Sequence, residues 1–203
     1  MGNSHDAVTH SNARHTMNEM ISSGPAESAF YFEKMVELFD YWVALPGDKP
    51  RRAVDPLTLG ARLIPHVSLG ALIDGCTDYR YDLISSELNA VAPRLRPGSR
   101  SSDAMRIQKT KTDLVHELFM STGRTIEPKV LRLTYASMEG RPRGIYTMFL
   151  PLGRQPGPTG KDVASDLMIG LWSFELKESF QRDEYEDLLE EFTTFRASRL
   201  AAS

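Results

Sequence analysis

"LIPHVSLGALIDGCTDYRYDLISSE", residues 63–87, decides the fold. The run from Val67 to Asp74 suits a strand. From Tyr79 to Ser85, Tyr79, Tyr81 and Leu83 alternate with Arg80, Asp82 and Ile84. That period of two is a strand with two unlike faces. Gly75 and Asp78 lie between the runs, so the stretch predicts two strands, at 67–74 and 79–85, joined by a turn. Just upstream, Asp55-Pro56 is a helix start, a side-chain oxygen for free amides followed by the residue favoured at the first helical position. Leu57, Leu59, Leu63 and Ile64 give the short helix an apolar side, and Pro65 ends it at Ile64. His66, at the corner between helix and strand, reads as a residue that steers the chain.

The amino-terminal side of this stretch predicts a helix over 26–45. It carries one stripe of Ala29, Phe32, Val36, Phe39 and Val43 and a second of Tyr31, Met35, Leu38 and Trp42. A helix apolar on two adjacent faces needs more than one surface to cover it. The first 25 residues are polar, so a mobile tail is expected there. His5, His10 and His15 recur every five residues, which does not put them on one helical face to hold a metal.

On the carboxy-terminal side, 86–106 reads as irregular with short helical turns. A helix is predicted over 111–121, closed by Gly123, and then strands at 128–138, 143–152 and 166–176. "EGRPRG" makes the hairpin connection between the first two. An amphipathic helix over 178–200 closes the chain, with Tyr185, Leu188, Leu189, Phe192 and Phe195 on one side. Strands on both sides of a helical excursion predict an α+β fold: one antiparallel sheet with helices on one face and flanking helices at both ends. The domain organisation expected is a tail at 1–25, a domain with its leading helix at 26–176 and a carboxy-terminal helix at 177–203.

Composition excludes several classes. The net charge is -3 and the basic residues are dispersed, so no nucleic-acid surface is expected. No apolar stretch approaches the roughly 20 residues that cross a bilayer. Cys76 is the single cysteine, which fits a reducing compartment, so a cytoplasmic location is expected. "QPGPTGKD" lacks the first glycine, the hydroxyl residue and the following helix of a phosphate loop. "HELFM" has half of a zinc-protease motif, with Met120 where the second histidine belongs. No metal, cofactor or catalytic residue is assigned.

Several stretches together resemble PAS domains, in particular the short, stand-alone bacterial PAS proteins with an amino-terminal helix. They are "YW" at 41–42, "PRRAVDP" at 50–56, "LIPHVSLGALID" at 63–74, "YRYDLISSE" at 79–87, "FMSTGRTIEP" at 119–128 and "LMIGLWSFEL" at 167–176. The resemblance covers residues 30–176. It implies a five-stranded antiparallel sheet in the order 2-1-5-4-3, a sensory or interaction role, and no catalysis. One departure is "ISSELNAVAPRLRPGSR", where serines and prolines replace the family's glycines. The blue-light cysteine motif of flavin-binding relatives is absent, and no haem or flavin is expected.

The expected function is therefore that of a cytoplasmic sensory or signalling protein whose output passes through another protein. Tyr81, His116, Tyr135, Met148 and Trp172 are the residues expected to touch a small, mostly apolar ligand. A homodimer through the amino-terminal helix is expected, since two apolar stripes ask for a second cover. The rival cover is the carboxy-terminal helix of the same chain. A ligand-free interaction module is the alternative function, and an enzyme or carrier of a small hydrophobic substrate the third. Arg51 and Arg52 read as a solvated pair.

Overall fold

The computed structural model describes residues 25–103, 112–136, 142–176 and 184–202. The expected tail (Pro25 apart), its three histidines, the first half of the "EGRPRG" connection and the start of the last expected helix lie outside them.

Helix α1 spans Pro25–Ala44, and Gly47 turns the chain out of it at φ +51°. A short 3-10 turn at Arg51–Ala53 leads to α2, Pro56–Leu63. Asp55 caps α2 as expected, accepting from Leu57 N at 3.0 Å. Strands β1 (Val67–Ile73) and β2 (Asp78–Leu83) form the hairpin read from the sequence. α3 (Ser86–Val91) begins at Ser85, whose hydroxyl accepts from Leu88 N at 3.1 Å. Then come α4 (Thr112–Thr125), β3 (Lys129–Ala136) and β4 (Pro142–Leu152). A small β5–β6 ladder (Gln155–Pro156 with Asp162–Val163) precedes β7 (Asp166–Glu175). β8 (Glu184–Asp187) and α5 (Leu189–Ala202) follow.

The fold is α+β, with an open six-stranded antiparallel sheet in the order β2-β1-β7-β4-β3-β8. The five long strands stand in the expected order, with β7 central between the two hairpins. The sixth strand corrects the sequence reading: residues 184–187 were expected inside the last helix. They pair instead with the outer edge of β3, Leu131 opposite Asp187 and Leu133 opposite Tyr185. An unpaired edge of backbone donors and acceptors outweighs the weak helical preference of four residues. The other edge, β2, is covered by the segment after α3: Tyr81 N donates to Ser99 O at 2.9 Å, and Gly98 N donates to Tyr81 O at 2.6 Å.

Helices cover both faces of the sheet, not one. Alternation along β7 sends Leu167, Ile169 and Leu171 to the face under α3 and α4, and Met168 and Trp172 to the face under α1, α2 and α5. α1 spends both of its stripes within the chain. Phe32, Met35, Val36, Leu38, Phe39 and Trp42 are all buried, and Phe192 of α5 packs on Phe32 and Phe39 at 5.4 and 5.3 Å between ring centroids. Phe30 and Val43 stay exposed. The apolar face on which a homodimer was expected is thus covered by the rival, α5.

A second correction concerns Gly123. It does not close α4; the helix runs on to Thr125 and ends at Ile126, at φ +56°. A Cβ at 123 would lie 2.5 Å from Leu72 and 2.7 Å from Cys76. The glycine is there so that the helix can approach the hairpin closely.

Candidate functional site

A polar constellation on the α4 side of the sheet lies where β2, the residues after its edge cover, and α4 meet. Asp78 opens β2 with its side chain buried. Its Oδ1 accepts from Tyr79 N at 2.8 Å, from Ser101 Oγ at 2.8 Å and from Ser102 N at 3.2 Å. Its Oδ2 accepts from Ser102 Oγ at 2.6 Å. Arg100, paired with Asp74 at 2.9 Å, comes no closer to Asp78 than 3.8 Å. His116, on α4, reaches the same knot through Nδ1, which is 2.9 Å from Ser101 Oγ.

Proton counting fixes the roles. Ser101 has one hydroxyl proton, and the acceptor-only carboxylate of Asp78 takes it. Ser101 Oγ must then accept from His116, so Nδ1 carries the imidazole proton. Tyr79 N also donates to Ser101 Oγ, at 3.2 Å. Both lone pairs of Ser101 are engaged and the residue is buried, so Ser101 has no electron pair to offer a carbonyl. Ser101, His116 and Asp78 are the residue types of a hydrolase triad in the wrong order, with serine rather than histidine in the middle. They tie α4 to β2.

Burial would push the Asp78 carboxyl up. The donors Ser102 and Ser101, with the amides of Tyr79 and Ser102, outweigh it and hold the group below the usual aspartate range. A carboxyl that is lower in the folded than in the unfolded chain stabilises the fold fully above the ordinary aspartate value of about 4. That contribution is lost as pH falls through the folded value. Asp78→Asn should therefore be less stable at neutral pH but lose stability less steeply as pH falls below about 4, as read from urea midpoints. Parallel pH profiles would remove Asp78 from the acid response.

Beside this knot stands an aromatic group. Tyr79 meets Tyr81 edge-on at 4.8 Å, Phe119 at 4.7 Å, and Phe119 meets Phe149 at 4.9 Å. Burial pushes the Tyr79 phenol well up, with Tyr81 and Asp82 adding to it, and burial with Asp78 pushes Tyr81 up. Both are neutral donors at physiological pH.

The structure brings two of the five expected ligand residues, Tyr81 and His116, to this place. Met148 and Trp172 belong to the opposite face, in the cluster with α1. The sheet separates them from Tyr81, so the five do not line one cavity. Tyr135 stands opposite Arg143 near the end of β3, and its side chain lies outside the described residues. His66 holds its corner as expected: Nδ1 donates to Leu171 O at 3.0 Å and the ring stacks on Trp172 at 5.3 Å.

Asp78, Ser101, Ser102 and Tyr79 were missed as site residues. The signal was the Ser-Ser-Asp run at 101–103, which read only as an irregular patch. Arg51, read as solvated, instead pairs with Asp82 of β2 and with Asp166 of β7, the latter at 3.2 Å. Among the described residues, no three or more His, Cys, Asp or Glu gather to hold a metal ion, and no helix is long and apolar enough to cross a membrane. No family model, no curated protein and no solved structure matches the chain.

Proposed function

We propose that this chain is a PAS-type sensory or signalling module of the cytoplasm, which binds a small molecule or a protein partner and acts through another protein. The observation that carries the reading is the strand order β2-β1-β7-β4-β3 with α3 and α4 laid over one face. In that arrangement a displaced α4 pulls on β2 through His116, Ser101 and Asp78. β2 is in turn tied to β7 by Arg51, so a local event under α4 reaches the centre of the sheet. α1 and α5 lie on the other side of that same centre and supply the surface a partner would read. The free, buried Cys76 suits a reducing compartment.

A second reading, a ligand-free interaction module, is favoured by the close approach of α4 to the hairpin at Gly123. Native mass spectrometry of freshly purified protein separates the two. A small-molecule adduct supports sensing, and a stoichiometric partner chain without an adduct supports the interaction module. A bare chain with neither, from the native host, would sink both.

A further inference from the structure

The two ends of the sheet differ. At β2 the main chain is covered by Ser99 and Gly98. At β8 no further strand is paired among the described residues. Leu188 N donates to Val130 O at 2.8 Å, and along an antiparallel ladder successive residues turn their main chain alternately toward and away from the neighbour. In the register of β8 on β3, Glu186 therefore bonds to β3, while Tyr185 and Asp187 turn their N–H and C=O groups outward. Those groups are a template for one more strand.

The side chains beside the template define what fits it. Tyr185 is 52 % exposed, a large ring on the edge itself, opposite Leu133. The sequence around it is acidic: Glu184, Glu186, Asp187, Glu190 and Glu191, with no basic residue from 184 to 191. Burial pushes the Glu186 carboxyl up; Arg132 opposes this and Glu191 adds to it. A cation brought beside Glu186 and Glu191 relieves that crowding. A second copy of this chain is a poor occupant, because antiparallel pairing of 184–187 with itself sets acid against acid.

We propose that β8 is the docking edge for an extended, basic segment of a partner protein, which joins the six-stranded sheet as a further strand, with an apolar side chain against Tyr185 and lysines or arginines against the acids. This rests on the reading that the chain acts through another protein, and it names that partner's chemistry. β8 runs directly into α5, whose first amide, Leu189 N, donates to Asp187 Oδ1 at 3.1 Å. A strand bound there adjoins the α1–α5 surface.

The test titrates the full chain, followed by NMR, with a short capped peptide in which lysine alternates with valine. Its controls are the same peptide with glutamate for lysine and the lysine peptide with two adjacent prolines at its centre. The lysine peptide is expected to bind and to slow amide exchange at Tyr185 and Asp187, with the Glu186 amide, already bonded to β3, changed least. Both controls should bind at least about tenfold more weakly, one through charge and the other through lost main-chain donors. Tyr185→Pro isolates the edge, because the N–H it removes points away from β3 and edge strands accept proline. The Glu186 and Leu188 amides should keep their protection in it, while the lysine peptide binds about tenfold more weakly. Should Tyr185→Pro loosen β8 itself, the proline peptide makes the same test from the partner's side. No binding of the lysine peptide, equal binding of either control, slowed exchange away from 185 and 187, or undiminished binding to a folded Tyr185→Pro would each overturn the proposal. So would protection of Tyr185 and Asp187 that rises with protein concentration without peptide, the mark of a second copy on the edge. A partner chain seen by native mass spectrometry that holds Tyr185→Pro as tightly as the parent would overturn the edge and leave the reading of output through another protein standing.

Discussion

Phe192→Ala should cost about 3–5 kcal/mol of folding stability, the range for deleting a buried aromatic ring. Phe192 is fully buried, and its ring fits between Phe32 and Phe39 of α1. Phe195 adds a contact with Phe32 at 5.6 Å, and the Arg196 guanidinium lies over the Phe39 ring at 5.3 Å, but neither side chain is fully buried. Arg196–Asp40, at 2.6 Å, and Arg199–Glu33 are ion pairs open to water, each worth about 0–1 kcal/mol. The loss should appear as a lower denaturant midpoint, together with faster amide exchange along α5 and α1. Charged residues at Phe32 and Phe39 should unfold the chain, because both rings are buried within it. A Phe192→Ala protein within about 1 kcal/mol of the parent would mean that α5 is not docked as described.

Asp78→Ala should be nearly as damaging, on the order of 3 kcal/mol, because it removes the buried charged acceptor on which four donors converge. Ser101 and Ser102 hydroxyls can turn to other partners and the Tyr79 amide keeps Ser101 Oγ at 3.2 Å, but the Ser102 amide is fixed by the backbone and loses its acceptor. The change also frees Ser101 to give its proton to His116, so the tie from β2 to α4 is rearranged rather than merely weakened. Amide exchange should rise first in α4 and at the β2 edge, with β3 and β4 affected least. Uniform loss of protection across the sheet would show that Asp78 stabilises the whole fold without setting the position of α4.

Strand content was legible because alternation is local: Tyr79, Tyr81 and Leu83 announce β2 without reference to anything distant. The Asp55 cap was legible for the same reason. β8 was not, since Glu184 to Asp187 become a strand only because β3 offers an open edge more than 50 residues earlier in the chain. The Asp78–Ser101 bond joins residues 23 apart across a stretch with no regular period. Choosing Met148 and Trp172 alongside Tyr81 failed on register. Each is correctly a sheet residue facing a core, but the face depends on pairing, and a slip of one residue exchanges the two faces. Gly123 deceived in another way, because a glycine late in a helix signals a stop and here serves a close approach instead.

The central place of β7 has a consequence for how the molecule is made. β1 and β2 are complete at residue 83 and β4 at 152, yet the strand that joins the two hairpins ends at 175. At about 5–20 residues per second, the first hairpin waits on the order of 5 to 20 seconds after synthesis for its inner partner. Until then β1 and β4 each present an unpaired edge, and the apolar side chains of both faces have no common centre to collapse on. A chain halted between residues 152 and 166 would thus carry two sheet fragments without the strand that joins them.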